Sequence, residues 1–242
     1  MRLEAIPEVI GFDPFVTSPN ETEHEPGDPV YLSDGRVFRF AVVGASNISK
    51  GKLQLAPAHI TNHDNCAVAA APIGSTVVTV TPGATGANAN VYSYGYMVVN
   101  AGPGAGQTYK ISSHPTITAS TAFNLTLFDP INTALTTSSK VCLMHNTYNG
   151  VVQGTSSTQT PAGVPLVDMP AGYYGWLQTR GIAAVLCDTI TSLGGYQIAS
   201  GSVPGAVTDQ TDVTAPITQR WVGWAPVAGV NGEYRPVFLM ID

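Results

Sequence analysis

The stretch that decides the fold is Ala171-Gly172-Tyr173-Tyr174-Gly175-Trp176-Leu177-Gln178-Thr179-Arg180-Gly181-Ile182-Ala183-Ala184-Val185-Leu186. It is rich in aromatic and aliphatic residues, carries one charge, and is spaced by glycine, which reads as short strands broken by turns rather than as a helix. Further glycines follow at 194, 195, 201 and 205, and the chain ends on Trp221-Val222-Gly223-Trp224-Ala225 and Val237-Phe238-Leu239-Met240-Ile241-Asp242. An apolar strand at a terminus must be paired, within the fold or by another subunit, because its backbone donors and acceptors otherwise stay open.

Composition agrees with that reading. Charged residues are 11% of the 242-residue chain against a usual ~25%. The polar remainder is therefore Thr, Ser, Asn and Gly, which suit strands and turns better than solvated helix faces. The 25 glycines and 18 prolines exceed the ordinary combined share of ~12% but stay short of the ~25–30% that marks disorder. Many turns are implied. The length allows one large β domain or two smaller ones.

A net charge of -6 and ten scattered Lys and Arg residues argue against nucleic-acid binding, which needs a basic stripe. No apolar run approaches 18 residues and no signal leader is visible, so neither a membrane partner nor export is expected. Cys66, Cys142 and Cys187 are far apart and odd in number, and are expected as free thiols in the core.

Working outward to the N-terminus, residues 1–29 hold many carboxylates and prolines with no strand or helix period, and read as an extended arm. Val30-Tyr31-Leu32 and Arg36 to Val43 flank Ser33-Asp34-Gly35, a hairpin signal. Lys52-Leu53-Gln54-Leu55 supplies one more strand. From residue 58 the texture changes: His59 to Asn65 is polar and turn-like, and Ala67 to Ala71 has little strand preference. Strands are then expected over 75–81, 94–99, 108–112, 122–128 and 140–144, where β-branched runs and period-two alternation recur. After Asn149 the glycine-spaced texture returns, with Val151-Val152 and Val164 to Val167. The whole reads as an all-β protein with an extended arm (1–29), a glycine-rich β-barrel domain built from 30–57 plus 149–242, and a second β domain inserted as 58–148.

Chemical motifs are sparse. Gly102-Pro103-Gly104-Ala105-Gly106 lacks a GK[ST] ending and precedes a strand, so it reads as a hairpin loop and not as a phosphate loop. His59 and His63 would share a face only in a helix, which Asn62 and Asp64 disfavour, so they read as an exposed linker and no metal site is expected. There is no G-x-S-x-G elbow, the Cys142 and His145 spacing carries little weight, and the scattered aspartates read as turn residues. No catalytic residue, cofactor or metal is expected. The aromatics Tyr173, Tyr174, Trp176, Trp221, Trp224 and Tyr234 read as core or subunit-interface anchors, with a sugar-stacking platform as the other possibility.

The string Pro170 to Gly181, continued by Val222 to Ala225 and Glu233 to Leu239, resembles a "GxYGWxQTxG" strand pair of tailed-bacteriophage structural proteins. Asp34 to Phe40 and Ala45 to Leu53 likewise resemble a "DGrxyrY...GA..l..GKL" pattern of that group. The resemblance implies a non-enzymatic virion protein, a capsid decoration or cement protein on the outer shell, assembled in the host cytoplasm. Its implied partners are the major capsid protein of a phage shell and further copies of the chain, a homotrimer being favoured. It implies an arm that docks on the capsid, with Phe12, Phe15 and Val16 as candidate contacts. The aromatics above, with Phe238, become candidate interface residues. A receptor- or glycan-binding head-fibre or tail module stays open as the alternative.

Overall fold

A computed structural model describes residues 12–20, 23–154, 159–191, 193–210 and 220–242. Within them the protein is all-β, with sixteen strands and a single 3-10 turn at Thr61–His63. The expected class holds. Chain contacts divide the protein into two compact units, one of residues 1–57 with 150–242 and one of 58–149.

The 58–149 unit holds β4 (Cys66–Val68), β5 (Val77–Thr81), β6 (Tyr96–Ala101), β7 (Thr108–Ser113), β8 (Phe123–Leu127) and β9 (Lys140–Met144). They form a closed antiparallel barrel in the order β4-β5-β8-β7-β6-β9. Alternate residues point inward as strand geometry requires: Val78 and Val80, Met97 and Val99, Phe123, Leu125 and Leu127, Val141 and Leu143 are all buried. The loop 102–106 joins β6 to β7 as a hairpin, as its sequence predicts.

The other unit holds β1 (Pro29–Tyr31), β2 (Val37–Val43), β3 (Gln54–Leu55), β10 (Asn149–Val151), β11 (Pro161–Pro165), β12 (Tyr174–Leu186), β13 (Tyr196–Ala199), β14 (Val207–Asp209), β15 (Trp221–Trp224) and β16 (Tyr234–Met240). Its main path runs β1-β2-β12-β16-β15-β13-β14, with β10 on β2 and with β11 bridging β12 to β3. The Asp34-Gly35 hairpin forms as read, with Tyr31 opposite Val37.

Three readings need correction. The deciding stretch is not several short strands, because Tyr174 to Leu186 is one strand of 13 residues. Its first half pairs with β2 and its second with β16, and a bulge between Gln178 and Arg180 re-aims it. Gly181 sits just past the bulge at φ +86°, where a Cβ would lie 2.9 Å from Arg36 Cγ. The glycine thus lets the strand bend instead of ending it.

Second, the closed barrel is the inserted unit. In the discontinuous unit the margins of the curled sheet meet through isolated bonds, among them Leu53 N–H to Gly205 O at 2.7 Å, Gly205 N–H to Gly154 O at 3.1 Å and Asp188 N–H to Val207 O at 2.9 Å. They enclose a core of Leu53, Leu55, Val164, Val185, Val207, Val222, Val237 and Leu239 without a continuous ladder around it. Third, the alanine-rich run after Asn65 contributes β4, which closes the other barrel by pairing β5 on one side and β9 on the other. Those bonds are made by backbone, so side-chain propensity is overridden.

Candidate interaction surface

The expected aromatic anchors divide between two environments. Trp176 is buried, at the centre of a ring cluster on the first half of β12. Phe12 meets it edge-on at 5.1 Å, His24 at 5.1 Å and Phe40 at 5.0 Å between centroids. Phe12 also packs on Phe38 at 5.3 Å, and Tyr174 stacks on Phe40 at 6.0 Å. Trp176 is thus a core residue, which removes it from the interface and from any sugar platform. Tyr173 and Tyr174 are half-buried beside it.

The described part of the arm lies along this cluster. Ser18 and Tyr174 exchange backbone hydrogen bonds of 3.1 and 2.8 Å, and Phe40 and the Gly27–Asp28 pair do the same at 2.8 and 3.0 Å. Residues 12–20 and 23–28 are therefore held by their own sheet. Phe12 packs inward, while Phe15 and Val16 are exposed, at 65% and 57%. The rest of the 1–29 arm, residues 1–11 and 21–22, lies outside the described residues.

The second environment is the outer face of β12-β16-β15-β13. Residues opposite one another across a ladder share a face, and the pairings Ile182 with Phe238, Phe238 with Trp224, and Trp224 with Tyr196 carry one apolar row over four strands. The rings reinforce it: Trp224 stacks on Phe238 at 5.6 Å, and Tyr196 lies 4.5 Å from Trp221 with their planes 7° apart. Trp221 is further fixed by its indole N–H, which donates to Gln210 Oε1 at 2.8 Å. Ile182, Met240, Tyr234, Tyr196 and Trp221 are each about half exposed. Of the expected anchors, Trp221, Trp224, Tyr234 and Phe238 lie on this unit's outer surface. Ile182, Met240 and Tyr196 were missed. The signal was the run Val237 to Ile241, which is apolar at every position and so presents an apolar face on both sides of its strand.

One histidine departs from its sequence reading. His63, expected in an exposed linker, is fully buried in the barrel unit, with Nδ1 2.5 Å from the Tyr92 hydroxyl and Nε2 2.8 Å from Thr85 O. Tyr92 N–H donates to His114 Nε2 at 3.1 Å, and His114 Nδ1 lies 2.7 Å from Pro115 O, which fixes a neutral ring protonated on Nδ1. His145 lies against the Tyr92 ring at 4.4 Å with the planes tilted by 31°, its Nδ1 lies 3.1 Å from Val91 O, and its buried Nε2 has no hydrogen-bond partner among the described residues. Burial holds both His114 and His145 below the ordinary imidazole range and pushes the Tyr92 phenol up. Burial thus favours the neutral forms of His114 and His145. His59 instead lies at the surface, 2.9 Å from Asp64.

Among the described residues no group of His, Cys, Asp and Glu has metal-site geometry. The cysteines are free: Cys66 and Cys187 are buried and Cys142 partly so. Burial pushes the Cys66 thiol up to about 11, away from the thiolate a nucleophile needs. No protein-family model, curated protein or solved structure matches the chain.

Proposed function

We propose that this chain is a non-enzymatic virion structural protein of the decoration class, which attaches as an oligomer to the major capsid protein of a phage shell. The sequence resemblance supplies the phage context. The observation that carries the assembly part is the apolar row on β12-β16-β15-β13. Half-exposed, its large side chains offer on the order of 500 Å², the upper range of what a monomer leaves bare. A stable contact takes about 800 Å² per partner, so the row supplies the centre of an interface and neighbouring polar residues the rim. A surface poor in charge makes such self-association inexpensive. Attachment at many equivalent shell sites then needs only modest affinity at each.

The stacked pair Tyr196 and Trp221 favours one second reading, a glycan- or receptor-binding module, since exposed rings can stack on sugars. Sedimentation of the full chain tests the first. It should run as an oligomer, a trimer being favoured, and Tyr196→Glu with Met240→Glu should convert it to monomer with its circular dichroism unchanged. Purified shells should gain surface density with the wild type and lose it with the variant. A monomer at all concentrations, or shells that gain nothing, would sink the proposal. Glycan binding that disappears in Trp221→Ala without any change in mass would favour the second reading.

A further inference from the structure

A cleft of about 460 Å³ lies on the sheet unit, lined in part by Ile182, Ala183 and Ala184 of β12, with Leu166 among the apolar walls and Arg36 and Lys50 as the cations. The backbone at its floor has a defined direction. Ala184 stands opposite Pro236, and Ile182 opposite Phe238. Proline has no N–H, so Ala184 and Pro236 form a non-hydrogen-bonded pair, and the N–H and C=O of Ala184 point away from β16. Residues two apart on a strand repeat that direction, which sends the groups of Ile182, Ala184 and Leu186 to the same edge.

Both ends of that edge are occupied. Val37 of β2 pairs with Arg180, and Leu186 N–H donates to Gly51 O at 2.8 Å. Between them a side chain substitutes for a strand: Gln178 Nε2 donates to Arg180 O at 2.9 Å and to Ile182 O at 3.0 Å. The interval from Arg180 to Leu186 spans roughly 20 Å; its central part borders the cleft with no described strand beside it, the Ala184 carbonyl facing Gly51, whose Cβ position would lie 3.3 Å away. Gly181 lies against Arg36 and Gly51 adjoins Lys50, so one cation stands at each end of the gap. Asp34 engages the Arg36 Nε at 2.8 Å, one of the five donors a guanidinium offers. Lys50 is exposed.

We infer that this cleft is a strand-addition site: it accepts a short extended segment of a partner protein that alternates apolar and acidic residues. The segment's backbone carbonyls would accept from the N–H groups of Ile182 and Ala184, its apolar side chains would meet Leu166 and Ile182, and its carboxylates would reach Arg36 and Lys50. Main-chain bonds provide affinity in this mode and the flanking charges provide selectivity. A chain of net charge -6 that places two of its ten cations at one cleft fits an acidic occupant.

The test uses the full-length protein and three dye-labelled, end-blocked tetrapeptides in fluorescence polarisation: one alternating Val and Glu, one alternating Val and Lys, and the Val/Glu peptide N-methylated at alternate amides. The Val/Glu peptide should bind saturably, the other two about tenfold or more weakly. Lys50→Glu should weaken the Val/Glu peptide by about tenfold, and bound peptide should slow hydrogen exchange at the Ile182 and Ala184 amides. No saturable binding up to about 1 mM, equal binding of acidic and basic peptides, indifference to N-methylation, or unprotected amides would each overturn the inference. Shell attachment through the apolar row is scored separately, so a failed cleft and a failed decoration reading give different results.

Discussion

Replacing Trp176 with alanine tests whether the arm and the aromatic cluster form one core. Trp176 is 4% exposed and touches Phe12, His24 and Phe40 at ring separations of 5.0 to 5.1 Å. Truncating a buried tryptophan costs about 3–5 kcal/mol in lost burial and cavity formation. Three edge-on partners place this site at the upper end, near 4–5 kcal/mol, since each well-placed ring pair adds ~0.5–1.5. With a urea m-value of about 2 kcal/mol/M, the midpoint of the unit formed by 1–57 and 150–242 should fall by about 2 M. Far-ultraviolet circular dichroism is the suitable signal, because the substitution removes a fluorophore. The sharper measurement is the cycle with Phe12→Ala. If residues 12–20 are held on this sheet, the two substitutions should couple by about 0.5–1.5 kcal/mol. A Trp176→Ala cost below about 1 kcal/mol would show that the ring is not core. Strict additivity with Phe12→Ala would show that the arm does not rest on it.

Three further outcomes follow from other parts of the structure. His114 and His145 have folded pKa values below the ordinary 6.5, so the unfolded chain takes up protons first as the medium is acidified. The barrel unit should hold full stability above about pH 6.5 and lose it progressively below, read as a falling melting temperature between neutral and mildly acid buffers; a flat profile would contradict the neutral assignments. Gly223→Ala should cost about 3 kcal/mol or more and reduce soluble yield, because its Cβ would lie 2.0 Å from the Phe238 carbonyl oxygen; a normal melt would refute that close approach. Deleting residues 238–242 removes Leu239 from the core and breaks the β16 ladders to β12 and β15, so it should abolish the folded sheet unit by circular dichroism before any binding is assayed.

Which features were legible in the sequence follows from how local their causes are. The Asp34-Gly35 hairpin and the 102–106 loop were readable because a turn is decided by the few residues that make it. The alternation of Phe123, Leu125 and Leu127 was readable because a half-buried strand repeats every second residue, and all three are buried. Strand β4 was not, since Cys66–Val68 is held by backbone bonds to β5 and β9 whose partners lie up to 75 residues away in the chain (Cys66 with Val141). Closure of a barrel is a property of its two ends meeting, and no window of sequence contains both. The same reasoning explains why closure was expected in the wrong unit. Glycine-spaced aromatics suggest tight curvature, and the sheet does curl, but its margins meet through isolated bonds.

The site divides along the same line. That aromatics would serve as anchors was legible from composition, but which of them face outward depends on pairing register. Trp176 and Trp221 have similar local settings, each followed by an aliphatic residue and each near a glycine. One is buried because Phe40 lies across from it in β2 and Phe12 folds over it; the other is bare because, past a register shift that sets it opposite the buried Ile198, its ring stacks on Tyr196 of the outer row. The cleft is harder still to foresee. Its edge direction is decided by Pro236 standing opposite Ala184, 52 residues earlier in the chain. A proline inside a strand signals an edge when nothing else is known, yet here β16 is paired on both sides. The missing N–H is tolerated because the register places it at a non-hydrogen-bonded position on the β12 side. That same register turns the open backbone of β12 toward Arg36 and Lys50, which is why a single substitution at 236 would leave the strand-addition site intact while a one-residue slip of β16 would erase it.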